Sequence, residues 1–236
     1  MEAKIDLFIL TARRLFLFEE TIRTFVEMNK ESLHTLNKIW ILDDRSSWED
    51  RKKMSDICFE LFGDKVYLVA FDSHRNFGWI DKFNFIGRAA EAKYTFLLED
   101  DWKCLESLGL ESHLELMESS QDLTQIAFCD PLFVQEEEIQ KIYQGKKYWK
   151  NPWPNEFRHI SAKVEAGWRW TYVRMNHYTN NPAITRSSVF KIQGFVYDSS
   201  FEHLFADQQN NPLQYFTTDL FFEHIGSENS LSINKK

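Results

Sequence analysis

The chain has 236 residues, 43% of them hydrophobic and 16% aromatic, which is enough to build one core of generous size. Its formal net charge of −8 argues against a nucleic-acid backbone or an anionic membrane as the main partner. The three cysteines, Cys58, Cys104 and Cys129, form no Cys-x-x-Cys pair and leave an odd one over. Such cysteines are typical of reduced thiols in a cytosolic protein.

The beginning of the sequence lacks the pattern of a secretory signal, because no basic segment is followed there by an apolar stretch. No apolar run approaches the roughly 20 residues that a membrane-spanning helix needs. The sequence therefore predicts a soluble, cytoplasmic protein without a transmembrane segment. Peripheral contact with a membrane stays compatible with this prediction.

Strands and helices alternate through the first hundred residues. Short apolar runs predict strands, and hydrophobic residues at helical spacing between them predict amphipathic helices. Strands are predicted at 5–10, 38–42, 66–71 and from 94, with helices after Leu15, after Ser47 and over 79–92. This order predicts a mostly parallel sheet with helices on both faces.

The pattern is less regular beyond residue 102. A helix is predicted over 105–119 and a buried strand over 125–129, and the last third predicts a strand at 183–184, helices at 187–193 and 202–209, and a strand at 215–222. Between them, segment 131–174 mixes aromatic and basic residues, which suits carbohydrate or single-stranded nucleic acid. The acidic balance of the chain favours sugar, although any single aromatic residue there is as well explained by packing on the sheet.

No glycine precedes Gly63. This excludes a Gly-x-Gly-x-x-Gly dinucleotide loop after the first strand, and it excludes a Walker A loop there. A phosphate group bound near the first strands is therefore not held by a glycine loop. A metal ion held by carboxylates is the natural substitute.

The strongest local signal is the run of three acids at 99–101, which directly follows an apolar stretch. Adjacent acids repel one another, so packing does not explain them. The ends of parallel strands lie along one edge of a sheet, so these acids, the pair Asp43 and Asp44, and segment 11–14 are expected to converge on one crevice. We interpret the crevice as a divalent-cation site for the phosphates of a nucleotide, with a solvated acidic turn as the alternative.

Four motifs together resemble the nucleotide-sugar-dependent glycosyltransferases of the GT-A fold, closest to the large family-two type. Thr-Ala-Arg-Arg at 11–14 stands where that family has a Pro-Thr-Tyr-Asn-Arg-like loop. Leu-Asp-Asp-Arg-Ser-Ser at 42–47 is similar to its Val-Asp-Asp-Gly-Ser pattern, with Arg45 in place of glycine. Asn-Phe-Gly at 76–78 is similar to its Asn-x-Gly helix entry, and Glu-Asp-Asp at 99–101 to its Asp-x-Asp metal motif.

The resemblance implies a single GT-A domain over 1–236, with a nucleotide-binding half at 1–102 and an acceptor-binding half at 103–236. It implies an α/β fold with a Rossmann-like, mostly parallel sheet and a smaller acceptor-side subregion. The implied activity is metal-dependent transfer of a sugar from a nucleoside-diphosphate donor, typically a UDP-sugar, to a hydroxyl of a glycan or other acceptor, as in polysaccharide biosynthesis. Mn²⁺ or Mg²⁺ is the implied cofactor, and no nucleic-acid partner is implied.

The resemblance also assigns residues to the donor site. Asp44 would accept a hydrogen bond from the nucleotide base. The full set that it implies for the donor is Thr11, Arg13, Asp44, Arg75, Lys82, Glu99 and Asp100. For the metal it implies Asp101, with Glu99 and with His224 from a His-x-Gly sequence after the last strand. A hard cation prefers such oxygen ligands and would neutralise the departing diphosphate.

An inverting transferase also needs a carboxylate that takes the proton of the acceptor hydroxyl. In the family this acid usually opens a helix on the acceptor side. Glu202 fits that place in this sequence, and Asp198 and Asp207 are the alternatives.

Two functions of other classes fit parts of the pattern. A catalytically inactive carbohydrate- or nucleotide-sugar-binding protein of the same fold is the first, and the intact acids at 99–101 and His224 argue against it. A phosphoryl-transfer pocket is the second. That chemistry needs a nucleophilic aspartate at the end of the first strand, and segment 11–14 offers none.

Overall fold

The computed structural model describes residues 4–71, 78–128, 158–161, 171–175, 182–191, 213–217 and 221–226, with side chains in all but 78–79, 158–161, 171–175 and 213–217. Its strands are β1 (Ile5–Thr11), β2 (Leu36–Asp44), β3 (Val66–Phe71), β4 (Tyr94–Glu99), β5 (Trp102–Cys104), β6 (Leu123–Ala127), β7 (Arg158–Ser161), β8 (Thr171–Met175), β9 (Ala183–Arg186), β10 (Leu213–Thr217) and β11 (Phe222–His224). Its helices are α1 (Leu15–Met28), α2 (Trp48–Phe62), α3 (Gly78–Ala89) and α4 (Leu110–Ser119), with 3₁₀ helices at Lys30–Thr35, Gly63–Lys65 and Ser187–Lys191.

In the described residues the strands form one nine-stranded sheet in the order β3-β2-β1-β4-β9-β6-β10-β8-β7, and β5 pairs with β11 in a separate small sheet. All strands of the large sheet run in one direction except β8 and β9. The predicted α/β fold with a mostly parallel sheet is therefore confirmed. The chain leaves β1 towards β2 on one side and returns through α3 to β4 on the other, which creates a switch point where such sheets bind ligands.

Strand β1 is buried along its whole length, because the sheet is covered on both faces. Ile5, Leu7 and Ile9 join the core cluster that contains the buried residues of α1. Phe8 and Leu10 point to the opposite face, in a second cluster with the apolar residues of α3. The mostly apolar sequence of this strand, which is interrupted by the buried Asp6, follows from packing on both faces.

The first two helices have the bounds that local signals predict. Helix α1 begins at Leu15 and buries Phe18, Ile22 and Phe25 in the core. Helix α2 is capped by Ser47, whose side-chain oxygen accepts a hydrogen bond from the backbone N–H of Asp50 at 3.0 Å. The helix ends at a glycine, Gly63, with a φ of 73°.

Three predicted elements beyond residue 102 are wrong in extent. The helix predicted over 105–119 starts only at Leu110, because the preceding backbone bonds elsewhere: the N–H of Leu105 donates to the carbonyl of Phe221, and that of Leu108 to the Asn29 side chain, both at 2.9 Å. The helix predicted over 187–193 is a short 3₁₀ helix.

The strand predicted over 215–222 divides into β10 and β11. These two strands belong to different sheets, since β10 pairs with β6 and β8, and β11 pairs with β5. The predicted helix over 202–209 lies outside the described residues, as does most of segment 131–174. No helix in the described part of the chain has the length and apolar composition to cross a membrane.

Candidate functional site

The turn between β1 and α1 lies between two acidic turns at the carboxyl ends of β2 and β4. In the sheet register, Thr11 stands opposite Asp43 of β2, and Leu10 stands opposite Glu99 of β4. The N–H of Arg13 donates to the Ser46 hydroxyl at 2.9 Å, which joins this turn to the turn after β2. Arg13 adopts a left-handed conformation with a φ of 57°. The three strand ends therefore form one edge, as the sequence predicts.

At the end of β2, Asp43 is fully buried and closes its own turn. Its carboxylate accepts hydrogen bonds from the N–H and the hydroxyl of Ser46, and from Arg51 Nε at 2.7 Å. Both partners follow Asp43 within eight positions, so this turn is stabilised by local sequence.

Asp44 differs from its neighbour. Its side chain is largely buried, and its Oδ1 has no hydrogen-bond partner among the described residues. Arg45 Nε lies 3.7 Å from that oxygen, beyond hydrogen-bonding distance. Burial raises the pKa of Asp44, against the lowering effect of the nearby Lys82 and Arg45 charges. Asp44 thus offers an acceptor oxygen at the site.

At the end of β4, Asp100 is completely buried and fully engaged. Its Oδ2 accepts from the Thr11 hydroxyl at 2.7 Å and from the N–H of Ala12 and Arg14 Nε at 3.3 Å each, and its Oδ1 accepts from Arg14 Nη2. Burial raises the pKa of Asp100 to about 6, because lost hydration outweighs the Arg14 charge and the hydrogen bonds. Asp100 would have to give up these bonds to reach a ligand.

Asp101 has one engaged and one unengaged oxygen. Its Oδ2 accepts from Arg14 Nη1 at 2.8 Å and lies 3.3 Å from His224 Nε2. Its Oδ1 is buried, and no described residue forms a hydrogen bond with it. Asp101 therefore presents Oδ1 as a second unsatisfied acceptor in the crevice.

His224 reaches Asp101 because β11 pairs with β5, which sets His224 opposite Trp102. The two rings lie 4.8 Å apart. The following backbone closes over Asp101: the N–H of Ile225 donates to the Asp101 carbonyl at 2.9 Å, and a β-carbon at Gly226 would overlap the Asp101 carboxylate. The glycine of the His-x-Gly sequence is thus required by a close approach.

Glu99, the first acid of the run, accepts a hydrogen bond from Trp102 Nε1 at 3.1 Å. Burial of the carboxyl, and secondly the neighbouring Asp101 charge, raise the pKa of Glu99 to about 8. Burial therefore disfavours the ionised form of this acid, and a bound cation would favour its ionisation.

Lys82 lies beneath the site, with its side chain buried. Its ammonium donates to the Thr11 carbonyl at 2.9 Å. Burial lowers the pKa of Lys82, while the charges of Asp44 and Asp100 oppose that change. Lys82 thereby supports the β1–α1 turn from inside.

Arg14 is the residue at this edge that the sequence predictions missed. They include Thr11 and Arg13 but give Arg14 no role, although its guanidinium binds both Asp100 and Asp101. The available signal was its place at the end of the loop motif, where the family pattern also ends in arginine.

The structure brings together at one edge most of the predicted donor and metal residues: Thr11, Arg13, Asp44, Lys82, Glu99, Asp100, Asp101 and His224. The other predicted site residues lie outside the described part of the chain: Arg75, Asp198, Glu202 and Asp207. Their roles stay predictions.

The residues at the end of β4 fit a divalent cation that takes most of its ligands from a bound substrate. In the described ranges, no three His, Cys, Asp or Glu side chains are grouped closely enough to hold a metal ion by themselves. Asp101 Oδ1 is nevertheless a buried carboxylate oxygen in need of a partner. Cations such as Mg²⁺ are often bound by one or two carboxylates together with substrate phosphates. Asp101 can supply such a carboxylate.

No protein-family model and no curated protein matches the sequence. Solved structures do match the fold. The mannosyltransferase PcManGT from Pyrobaculum calidifontis, in complex with GDP-Man and Mn²⁺, has a TM-score of 0.66 and 10% identity over 97% of this chain and 59% of that one. S. aureus TarS in complex with UDP-GlcNAc has a TM-score of 0.57 and 11% identity over 95% of this chain and 61% of that one.

TarS in complex with UDP gives a TM-score of 0.60, over 93% of this chain and 59% of that one, again at 11% identity. This chain therefore spans about three fifths of the length of the structures that it matches. At these identities the likeness concerns the fold, and it confirms the predicted GT-A fold.

Proposed function

We propose that this chain, which has the fold of the GT-A glycosyltransferases, transfers a sugar from a nucleoside-diphosphate donor to a hydroxyl of a glycan or other acceptor. The observation that carries the proposal is the pair Asp44 and Asp101, each with a buried carboxylate oxygen that no described residue satisfies. An unsatisfied buried acceptor costs about 1–3 kcal/mol, so a ligand that satisfies both is favoured. Asp44 ends β2 and Asp101 follows β4, and these two strands lie on either side of β1, about 10 Å apart across the sheet.

Asp44 is proposed to bind the nucleotide base, because its free oxygen can accept a hydrogen bond from a ring N–H. Uracil and guanine both carry such a group, and the matched structures hold UDP-GlcNAc, UDP or GDP-Man. A UDP-sugar is our first choice of donor. Arg13 is exposed at the rim of the crevice and is proposed to flank the base and ribose.

Thr11, Lys82 and Asp100 are proposed to support the donor site from beneath. The Thr11 hydroxyl is engaged with Asp100, and the Lys82 ammonium with the Thr11 carbonyl. These bonds hold the β1–α1 turn in the conformation that the donor would meet.

A divalent cation, Mn²⁺ or Mg²⁺, would supply Lewis-acid stabilisation of the departing diphosphate when bound. Asp101 is proposed to hold it through Oδ1, with Glu99 and His224 as further ligands. The proximity of His224 Nε2 to Asp101 Oδ2, at 3.3 Å, supports His224 as one of these ligands. Unchanged turnover and cation dependence in a His224→Ala variant would exclude the role of His224.

The catalytic base is proposed to be Glu202, with Asp198 and Asp207 as alternatives, on the family resemblance alone. Glu202→Gln should keep donor binding and lower transfer by about 10²–10⁴-fold, because the amide cannot take the proton of the acceptor hydroxyl. Single-turnover transfer measured at saturating donor checks this. Near-normal turnover would exclude Glu202 as the base, and the same test would then be applied to Asp198 and Asp207.

A thermal-shift screen tests the proposed function. UDP- and GDP-sugars, with Mn²⁺, Mg²⁺ or EDTA, are added to the full chain, and a donor that binds only the folded form raises its melting temperature. We expect at least one nucleotide sugar to raise it in the presence of a divalent cation. A screen without any nucleotide-dependent shift would contradict the proposal. Binding without release of the nucleoside diphosphate, across a panel of glycan acceptors, would favour an inactive binding protein.

A further inference from the structure

Arg14 already places a positive charge on the acidic turn after β4. Its guanidinium holds Asp100 through Nε and Nη2, and holds Asp101 Oδ2 through Nη1 at 2.8 Å. The side chain is only 17% exposed, and it comes from the turn after β1, 86 positions before Asp100. One cation thus binds two adjacent carboxylates that would otherwise repel each other.

This charge is permanent, because a guanidinium does not lose its proton in a protein. A divalent ion that approaches Asp101 Oδ1 meets a carboxylate whose other oxygen is already bound to a cation. It also meets few further protein ligands, since no group of three metal-binding side chains occurs in the part of the chain that the structure describes. A divalent ion prefers about six ligands, so the described residues alone offer it too few to replace its water shell.

A nucleoside diphosphate changes both the number of ligands available to the ion and the charge around it. Its phosphate oxygens add ligands for the ion, and their negative charge offsets the guanidinium. Binding of the ion and binding of the diphosphate then strengthen each other by the same factor, because linkage between two ligands is reciprocal.

We propose that Arg14 is a resident cation of the acidic turn: it orients Asp101, keeps a divalent ion weakly bound in the free protein, and so makes cation binding depend on the nucleoside diphosphate. The inference rests on the proposed function, which it deepens by assigning a positioning residue and a coupling between the cation and the nucleoside diphosphate. It concerns this chain's own charges, so it can be measured without turnover.

The test is a Mn²⁺ titration of the full chain, with free Mn²⁺ measured by electron paramagnetic resonance, in the absence and the presence of UDP or GDP. Arg14→Met removes the charge, and we expect it to bind Mn²⁺ alone roughly tenfold more tightly than the wild type, because one repelling charge is gone. The gain in Mn²⁺ affinity that the nucleotide produces should shrink by a similar factor.

Arg23→Met is the matched control. Arg23 lies on α1, is 43% exposed and pairs with Glu19 and Glu60, so its loss changes the net charge equally without touching the acidic turn. It should bind Mn²⁺ as the wild type does. An equal gain in the control would assign the effect to net charge and overturn the inference.

Arg14→Lys keeps the charge but cannot hold both acids with one planar group. Its affinity for Mn²⁺ should therefore lie between those of the wild type and Arg14→Met. If melting in EDTA shows that Arg14→Met does not fold, Arg14→Gln, which also removes the charge, takes its place: tighter Mn²⁺ binding supports the inference, and unchanged or weaker binding overturns it. Weaker binding of Mn²⁺ by Arg14→Met would also overturn it, with the proposed function intact. Absence of any Mn²⁺ binding by the wild type with every nucleotide would instead remove the cation from the proposed function, and the inference with it.

Discussion

Two strands of the large sheet end in adjacent acids, and the two pairs share one arrangement. In each pair the first acid is fully buried and engaged by the protein: Asp43 at the end of β2 and Asp100 directly after β4. In each pair the second acid, Asp44 or Asp101, keeps a buried oxygen without a hydrogen-bond partner in the described residues. The first member builds the turn, and the second is available to a ligand.

The two pairs differ in where the stabilising arginine comes from. Arg51 belongs to the helix that directly follows Asp43, eight positions later. Arg14 belongs to a different turn and contacts both members of its pair. The turn after β2 can therefore form from local sequence, whereas the turn after β4 needs β1 and β4 to be paired first. We infer that the turn after β2, the proposed base side of the site, is locally encoded and that the turn after β4, the proposed cation side, depends on tertiary structure.

The largest expected effect is on the second acid of the β4 pair. Asp101→Asn should lower release of the nucleoside diphosphate from the donor by about 10²–10³-fold, because an amide replaces the charged ligand of the cation. The exposed Glu118→Gln is the control, since it changes the same charge on α4 and should leave turnover unaltered. Turnover of Asp101→Asn within about threefold of the wild type would contradict the proposed role of the second acid in binding the cation.

The next effect concerns stability at the first acid of the β2 pair. Asp43→Ala should lower the free energy of unfolding by about 3 kcal/mol, because it removes the buried acceptor for Arg51 and Ser46. Urea denaturation measures this, with Asp56→Ala on α2, the helix that carries Arg51, as control. Asp56 is 64% exposed and pairs with Lys52, so its loss should cost at most about 0.5 kcal/mol. Equal losses in both variants would contradict a structural role for Asp43.

A pH-dependent effect distinguishes the first acid of the β4 pair. Its pKa of about 6 in the folded protein is above the ordinary value of 3.8, so the folded state binds this proton more tightly than the unfolded state. Stability from Asp100 is then present below about pH 4 and is lost as the pH rises through about 6. Relative to Asp100→Asn, the wild type should lose up to about 3 kcal/mol of unfolding free energy over this window. Urea midpoints of both proteins at several pH values check this, and a constant difference between them would contradict it.

The smallest expected effect concerns backbone strain, which occurs both in the β1–α1 turn and in the turn after β2. Arg13 and Arg45 both have positive φ, at 57° and 65°, which is costly for a residue with a side chain. The GT-A family pattern has glycine in the place of Arg45. Arg45→Gly should raise the unfolding free energy by about 0.5–1 kcal/mol, the relief of strain exceeding the entropy cost of glycine. A lower melting temperature for this variant would show that contacts of the Arg45 side chain outweigh the strain.

The parts of the molecule that sequence reasoning predicts well are those with local causes. Ser47 caps α2 and Gly63 ends it because a hydroxyl and a left-handed glycine act on backbone groups a few residues away. The acids at the ends of β2 and β4 likewise follow directly from apolar runs in the sequence. Parallel pairing then brings these ends to one edge without further information.

The contacts that sequence reasoning does not explain have distant causes. The family resemblance places His224 with Asp101, but the two meet because the three-residue strand β11 pairs with β5 in a separate small sheet. Arg14 stands at the end of the loop motif, but its contact with the two acids depends on the pairing of β1 with β4. The local motifs name both residues without giving these pairings.

The central claim is that the second acid of each pair serves the ligand and the first serves the fold. Calorimetric titration of the nucleoside diphosphate, with Mn²⁺, into Asp43→Asn, Asp44→Asn, Asp100→Asn and Asp101→Asn tests it most directly. We predict that Asp44→Asn and Asp101→Asn weaken binding at least about tenfold, with the Mn²⁺ dependence lost only in Asp101→Asn, because each removes a charge-assisted contact. Asp43→Asn and Asp100→Asn should change the affinity of the folded fraction far less. Equal losses in all four variants, or larger losses at Asp43 and Asp100, would contradict the account.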